Sequence, residues 1–420
     1  MVPSSRVAPR SPHNPTGGRS MSMSALGEPC VLLKLGEVVL KGKNRELFER
    51  SLQANIKAAV GDLGFRVDVR QRHGVIALLL PEGSGAERAD AVAERVGYVP
   101  GLVWIHRAWR VAKDPAAVTK AAIELLADRE DVRRGVSFAV RSRRRDKRFP
   151  LTSAQLDRSV GGELNDIYGL PVNLKNPDLV VSIEVDRDEV FVYTGGQPGQ
   201  GGLPVGTSGR GLVLMSGGID SPVAAYRMMR RGLRVDFLHF SGVPFTTSES
   251  IYKAYALARA LDRFQSRSRL WVVPFGKAQQ SIKAAGHDRL AVISQRRLML
   301  KTAEEVARRL KAGALITGDS LGQVSSQTLQ NITAQDDAVG LPILRPLIGL
   351  DKTEIIAEAR RIGTLEISEL PDEDCCTLLA PRRAETAAKI ADLKQIERRL
   401  DAGELAVQLA GSLQEYRLRG

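Results

Sequence analysis

Cysteine is scarce in this chain: 420 residues hold three, Cys30, Cys375 and Cys376. There is no even, spaced set and no C-x-x-C, which excludes a disulfide scaffold and a zinc ribbon and fits a reducing, cytosolic compartment. The five histidines are scattered without H-x-x-H or H-E-x-x-H pairing, so no His-based metal centre is expected. No run of about 18 apolar residues occurs, so neither a membrane-spanning helix nor a membrane partner is expected. Hydrophobic residues make up 43% and charged residues 26%. Such a balance excludes disorder, collagen and coiled coil as the main state. A chain this long divides into roughly two to four domains and can bury a core without a metal or disulfide.

Acidic residues are also in deficit. Lys plus Arg number 61 against 48 Asp plus Glu, a net charge of +13. An anionic partner is the expectation, nucleic acid first, with a generically basic proteome as the plainer explanation. Residues 101–150 hold 13 basic and 6 acidic side chains, half of the surplus. Within them Arg141, Arg143, Arg144, Arg145, Lys147 and Arg148 place six cations in eight positions. They suit phosphate contacts, or else form a solvated charged loop.

Residues 1–28 are rich in Ser, Pro, Gly and Arg and lack an apolar signal-peptide core, so a disordered extension is expected there. Residues 29–95 read as a small α+β unit: strands at 30–35 and 75–80, helices at 46–63 and 89–96. Leu47, Leu52, Ile56 and Val60 are expected on one side of the first helix. Residues 96–200 form a second α+β unit, with helices at 116–127 and 152–164, a strand at 137–141 and a hairpin of 179–185 with 189–194. The glycine-rich stretch from Gly195 to Gly209 reads as a linker or boundary. From 201 to 420 strands alternate with helices: strands at 212–215, 234–240, 270–274 and 314–317, helices at 222–231, 250–262 and 288–312. That alternation predicts an α/β domain with a doubly wound parallel sheet. Residues 382–420 read as a charged helical tail.

The apolar strand 212–215 runs straight into Ser216, Gly217, Gly218, Ile219, Asp220 and Ser221, then Pro222 and a helix closed by Gly232. Two glycines let the backbone approach an anion, and a helix N-terminus offers N–H groups and a favourable dipole. Ser216 and Ser221 add donors. Asp220 beside a phosphate makes sense if it holds Mg²⁺ or orients the reacting end. The loop has neither the Walker G-K-[ST] nor G-x-G-x-x-G. Further along, Asp351 and Glu354 have capping-box spacing, which places Lys352 in a first helical turn where the dipole disfavours a cation. A nearby anion would offset that cost.

S-G-G-x-D-S resembles the PP-loop of the ATP pyrophosphatases, which cleave ATP between its α and β phosphates and adenylate a carbonyl-type oxygen. Residues 36–45 (G-E-V-V-L-K-G-K-N-R), 148–153 (R-F-P-L-T-S), 317–328 (T-G-D-S-L-G-Q-V-S-S-Q-T) and 345–352 (R-P-L-I-G-L-D-K) narrow the resemblance to the tRNA 4-thiouridine synthase family. It runs from about residue 30 onward, with the motifs in order.

The resemblance implies a ferredoxin-like domain, a THUMP domain and a PP-loop domain, with ATP and Mg²⁺ as cofactors and tRNA as partner. It implies ATP contacts at Leu214, Met215, His239, Phe240, Arg296, Gly318 and Gln327, beside the loop residues Ser216, Gly217, Gly218 and Ser221. Read alone, His239 is an ordinary strand-end histidine. The resemblance places Lys352 with Asp220 in the active site and a persulfide on Cys375; read alone, Cys375 and Cys376 could be inert. Cys30 opens a buried strand and is expected to be structural. The implied activity is adenylation of a tRNA uridine, expected at position 8, and replacement of O4 by sulfur, with thiamine thiazole synthesis as a second outlet. Longer members append a rhodanese domain that this chain is expected to lack. Sulfur would then come from a cysteine desulfurase or another persulfide donor, and Cys375 would end as a thiol or be restored by an outside reductant. A cytoplasmic enzyme, with a homodimer as one assembly, completes the expectation. Another PP-loop ligase acting on a small molecule, or a non-catalytic THUMP RNA-binding protein, are the competing readings.

Overall fold

The computed structural model describes residues 27–418 except 73, 286–287 and 372–383. The extension expected over 1–28 therefore lies, up to residue 26, outside the described residues. The chain folds into two compact units.

The first unit is built on residues 108–195. Helix Pro115–Leu126 is capped by Asp114, whose side chain accepts from Ala117 N. Helix Ser153–Tyr168 opens on the expected Thr152 cap, a full capping box with Gln155. Strand Phe138–Arg144 pairs in parallel with Leu179–Val185, which pairs antiparallel with Val190–Thr194 as the hairpin signal predicts. Apolar faces of both helices close over these strands, with Val118, Leu126, Leu156 and Val160 buried against Phe138, Val181 and Val192.

The second unit holds residues 30–81, 87–107 and 196–420. Its first part is an antiparallel sheet in which Val75–Leu79 lies between Glu28–Leu35 and Asp68–Arg72. Helices Arg45–Val60 and Ala86–Val96 cover it. Leu52, Ile56 and Val60 are buried as expected, but Leu47 is 54% exposed. Five residues turn about 140° around a helix, so Leu47 cannot share the face of Leu52. Cys30 is buried in its strand.

The glycine-rich stretch is not a free linker. Gln197–Pro198 pairs with Trp104 and Ile105, Gly201 N donates to Leu102 O at 2.7 Å, and Leu203 N donates to Arg230 O at 2.9 Å. Glycine is required because the backbones touch. A Cβ on Gly202, whose φ is +72°, would lie 2.1 Å from Arg230 O.

The second part is the expected parallel α/β sheet. Central strand Arg210–Leu214 has Arg234–Ser241 and then Arg269–Pro274 on one side, and Ala314–Ile316 and then Ile343–Leu344 on the other. The chain winds outward one way, crosses over in helix Ala291–Leu310, and winds outward the other way. Two features differ from expectation. A helix, Gly276–Ala285, precedes the crossover helix. The expected helical tail holds helices Ile390–Leu400 and Ala402–Gly411 and then a strand, Gln414–Arg417, which closes the sheet edge antiparallel to Arg269–Pro274. Its sequence, Q-E-Y-R, is polar because an edge strand with half-exposed faces buries little.

Candidate active site

In an open α/β sheet, ligands bind beyond the carboxyl ends of the strands, where the winding reverses. Here that point lies between Arg210–Leu214 and Ala314–Ile316, and a cavity opens there. Leu214, Met215, Phe240, Met299 and Leu300 give it an apolar side. Ser216, Asp220, Ser221, Arg296, Thr317, Asp319, Gln327 and Gln335 give it a polar one.

The loop after the central strand is held by its own serines. Ser221 Oγ accepts from Ser216 N at 3.0 Å and lies 3.2 Å from Ser216 Oγ, and Ser216 Oγ accepts from Gly218 N at 3.3 Å. Helix Asp220–Arg230 starts at once, so its free N–H groups and dipole point at the cavity. Gly318 closes the loop's other flank, where a Cβ would lie 2.7 Å from Ser221 N and 3.0 Å from the Asp220 Cβ. Only glycine permits that approach without moving the loop.

Asp220 and Lys352 meet although far apart in the chain: Lys352 Nζ donates to Asp220 Oδ1 at 2.6 Å. Gln323 Nε2 donates to Oδ2 at 3.0 Å. The capping box of Asp351 and Glu354 forms as predicted, with Lys352 at the first helical position. The anion that offsets the unfavourable dipole is thus the Asp220 carboxylate.

His239 is buried, with Nδ1 3.0 Å from Met215 O and Nε2 3.2 Å from Ser250 Oγ. A carbonyl only accepts, so Nδ1 carries the proton and Nε2 accepts from the serine. The ring therefore ties two strand ends together, the ordinary role that the sequence left open.

Asp319 was not singled out from the sequence, yet it organises the polar side. Arg296 Nη1 donates to it at 2.7 Å, Gln327 Nε2 at 3.1 Å, Thr317 Oγ1 at 2.7 Å and Arg345 Nε at 3.3 Å. Burial works to raise its carboxyl, but the charge and hydrogen bond of Arg296, with Thr317 and Arg345, outweigh burial and hold it down at about 2. The available signal was its place in T-G-D-S, one residue past a strand-end glycine.

Of the sequence-predicted nucleotide residues, Leu214, Met215, Ser216, Ser221, His239, Phe240, Arg296, Gly318 and Gln327 all line this cavity, as does Asp220. Gly217 and Gly218 belong to the loop but not to the lining, and Lys352 reaches the site through Asp220. Cys375 and Cys376 lie outside the described residues. On one side of them Ser368 Oγ donates to Gly218 O at 3.4 Å; on the other, Thr328, next to Gln327, donates to Thr386 O at 2.6 Å. Among the described residues no group of three His, Cys, Asp or Glu side chains could hold a metal, and no helix is long and apolar enough to cross a membrane.

In the first unit the basic run splits. Arg141, Arg143, Lys147 and Arg148 are exposed, though Arg148 pairs with Asp146 at 3.0 Å. Arg144 turns inward to donate to the carbonyls of Phe149 and Leu151 at 3.1 and 2.9 Å. Arg145 is largely buried and pairs with Glu184 at 2.8 Å. Strand alternation sets Arg144 on the face opposite Arg141 and Arg143, and Arg145, just past the end of the strand, turns in to Glu184, so the run is not one surface.

Three family descriptions match the chain in order: the ThiI ferredoxin-like domain over residues 30–105, the THUMP domain over 112–194, and thiamine biosynthesis protein (ThiI) over 206–402. A probable tRNA sulfurtransferase of Nocardia farcinica is 50% identical over 382 residues, 90% of this chain and 92% of the relative. The chain belongs to the tRNA sulfurtransferase family. The probable tRNA sulfurtransferase of Thermus thermophilus is 42% identical over 383 residues, 90% of this chain and 91% of that one. Among solved structures, a 4-thiouridine synthetase–RNA complex with bound ATP is similar with a TM-score of 0.84 and 30% identity, over 93% of this chain and 99% of the other. Ferredoxin-like, THUMP and PP-loop regions are thus present as the resemblance implied.

Proposed function

We propose that this chain uses ATP to place sulfur on a tRNA uridine. The observation that carries the reading is the cavity at the winding reversal, with the S-G-G-x-D-S loop on its floor and the Asp220–Lys352 pair at its edge. The adenosine occupies the apolar side, against Met215, Phe240 and Leu300. The phosphates lie on the loop and helix N-terminus. O4 of the uridine attacks the α-phosphorus and pyrophosphate leaves, which turns a poor leaving group into AMP. Lys352 neutralises charge on the departing phosphates. A single carboxylate with triphosphate oxygens suits Mg²⁺, which keeps several waters and needs no protein cage. Asp220 would hold the ion, which supplies charge stabilisation to the phosphates.

Sulfur comes from a persulfide on Cys375, loaded by a cysteine desulfurase or a small persulfide carrier. Its terminal sulfur adds to C4 and AMP leaves. A thiol from an outside reductant then opens the sulfur–sulfur bond of the adduct, supplying the two electrons that release the thiocarbonyl. The test is reconstitution with unmodified tRNA, ATP, cysteine, a desulfurase and a dithiol. AMP and 4-thiouridine are expected in equal amounts. AMP without any thiolated nucleoside, under conditions where the desulfurase loads the protein, would sink the reading.

The first unit binds tRNA phosphates through the exposed cations. Changing Arg141, Arg143 and Lys147 together to alanine should flatten the plot of log K against log salt by about 2 to 3 in slope. Arg145→Ala should instead lower the melting temperature, because the buried Glu184 loses its ion-pair partner and keeps only neutral ones such as the Tyr193 hydroxyl. An unchanged slope in the triple variant, read by filter binding from low to high salt, would place the RNA elsewhere.

A further inference from the structure

Helix Glu249–Asp262 is tied to the cavity through Ser250, whose Oγ lies 3.2 Å from Nε2 of the cavity-lining His239. Three residues on, along the same side of the helix, stands Lys253. It is 8% exposed, and its Nζ donates to Leu370 O at 2.5 Å. Taking an ammonium out of water is costly, and lysine is rarely this buried unless paired. If packing were the only need, an apolar side chain would fill the place better. What the cation adds is a charge-assisted bond to one point of the backbone. That point is five residues before Cys375 in the sequence. A chain spans at most about 3.5 Å per residue, so the Cα of Cys375 lies within about 18 Å of that of Leu370.

The chain is moored again on the far side of the cysteines. Asn331 is wholly buried, and all its hydrogen-bonding groups are engaged. Its Nδ2 donates to Ser325 O at 2.7 Å and to Glu385 O at 2.8 Å, and its Oδ1 accepts from Ala388 N at 3.0 Å. Ser325 opens the turn that carries the cavity-lining Gln327. Both moorings are therefore built on elements that also form the cavity. The upstream one is the nearer to Cys375, by five residues against ten.

We infer that Lys253 is a positioning residue for sulfur transfer: it fixes where the chain enters the cysteine-bearing segment, as Asn331 fixes where it leaves, and so sets the carrier sulfur against the activated uridine. The inference rests on the proposed role of Cys375. Neither residue is needed for adenylation itself, which uses the phosphate loop. A misplaced carrier leaves the adenylated uridine to water, which releases AMP and returns the unmodified base. The signature of a positioning role is then a loss of coupling between AMP and 4-thiouridine, since a displacement of about an ångström costs up to roughly 100-fold in rate.

The test is the reconstituted reaction with unmodified tRNA, ATP, cysteine, a desulfurase and a dithiol, with AMP, 4-thiouridine and the persulfide on the cysteine peptide all measured. In the unaltered protein the ratio of AMP to 4-thiouridine should be near one. Lys253→Met keeps the length and the apolar stem but removes the donor. It should load persulfide normally and keep AMP formation within about threefold, while 4-thiouridine falls roughly 10- to 100-fold. Lys253→Arg restores a donor and should recover most of the coupling. Asn331→Ala should shift the ratio in the same direction by less, and carries the test if Lys253→Met does not fold. A ratio near one in the folded variant, whether both products fall or neither does, would overturn the inference, because a merely structural residue lowers both together. Failed persulfide loading in Lys253→Met would overturn it too, by placing the residue in donor docking. Full thiolation by Cys375→Ser would be a different failure, removing the carrier reading beneath it.

Discussion

Asp220→Ala should abolish ATP-dependent pyrophosphate release, by about 10²- to 10³-fold or more, while tRNA affinity stays within about twofold. Asp220 sits where loop becomes helix, with Lys352 at 2.6 Å and Gln323 at 3.0 Å on its two oxygens. Removing it takes away the carboxylate for a cation and releases Lys352 from its position. Asp220→Asn separates charge from shape. If Asp220 only held Lys352 and Gln323 in place, the amide would retain much of the activity. If its charge holds an ion against the phosphates, asparagine should be nearly as poor as alanine. Lys352→Ala should be similarly inactive in pyrophosphate release, since no other lysine or arginine among the described residues reaches Asp220. Normal AMP formation by Asp220→Ala would remove the phosphate loop from the mechanism.

Cys375→Ser should divide the reaction in two. Thiolation is expected to disappear, and a single round of tRNA-dependent AMP formation to survive, because adenylation uses groups on the sheet and phosphate loop. Cys376→Ser should retain substantial thiolation. The described residues on either side of these cysteines support the assignment: Ser368 is bonded to Gly218 of the phosphate loop, and Thr386 to Thr328, the neighbour of Gln327. Nucleoside analysis by mass spectrometry, with mass mapping of the cysteine peptide after loading, reads both half-reactions. A persulfide on Cys376 instead, with Cys375→Ser fully active, would show that the family match is displaced by one residue at this turn.

What the sequence discloses follows the range of the forces involved. The phosphate loop and the Asp351 capping box were legible because their chemistry is local: a strand, two glycines and a helix start within a few residues. The parallel sheet followed from the alternation of strands and helices. Asp319 was not legible, because its meaning comes from Arg296 and Arg345, partners that only the sheet brings together. Arg144 and Arg145 were not separable from their neighbours for the same reason, since a cation held by backbone carbonyls or by a buried carboxylate looks like one in water in a charge run. The strand Gln414–Arg417 carries no apolar alternation to reveal it. Glycines at 199–202 suggested slack, but backbone contact with Leu102 and Arg230 needs the same residues.

The crossover has a consequence for how the protein comes to be folded. The two walls of the site, Ser216–Ser221 and Thr317–Asp319, are joined only when Ala314–Ile316 docks beside Arg210–Leu214, from the far end of a long excursion of the chain. Pairings so distant in sequence form late, because loop closure must be met before the contacts reward it. No fragment ending before that strand can possess the cavity, so nucleotide affinity doubles as a gauge of completed folding. The coupling also runs in reverse: a nucleotide at a hundred times its Kd stabilises the zipped sheet by about 2.7 kcal/mol. In a nucleotide-rich setting the substrate thus acts as a folding ligand as well.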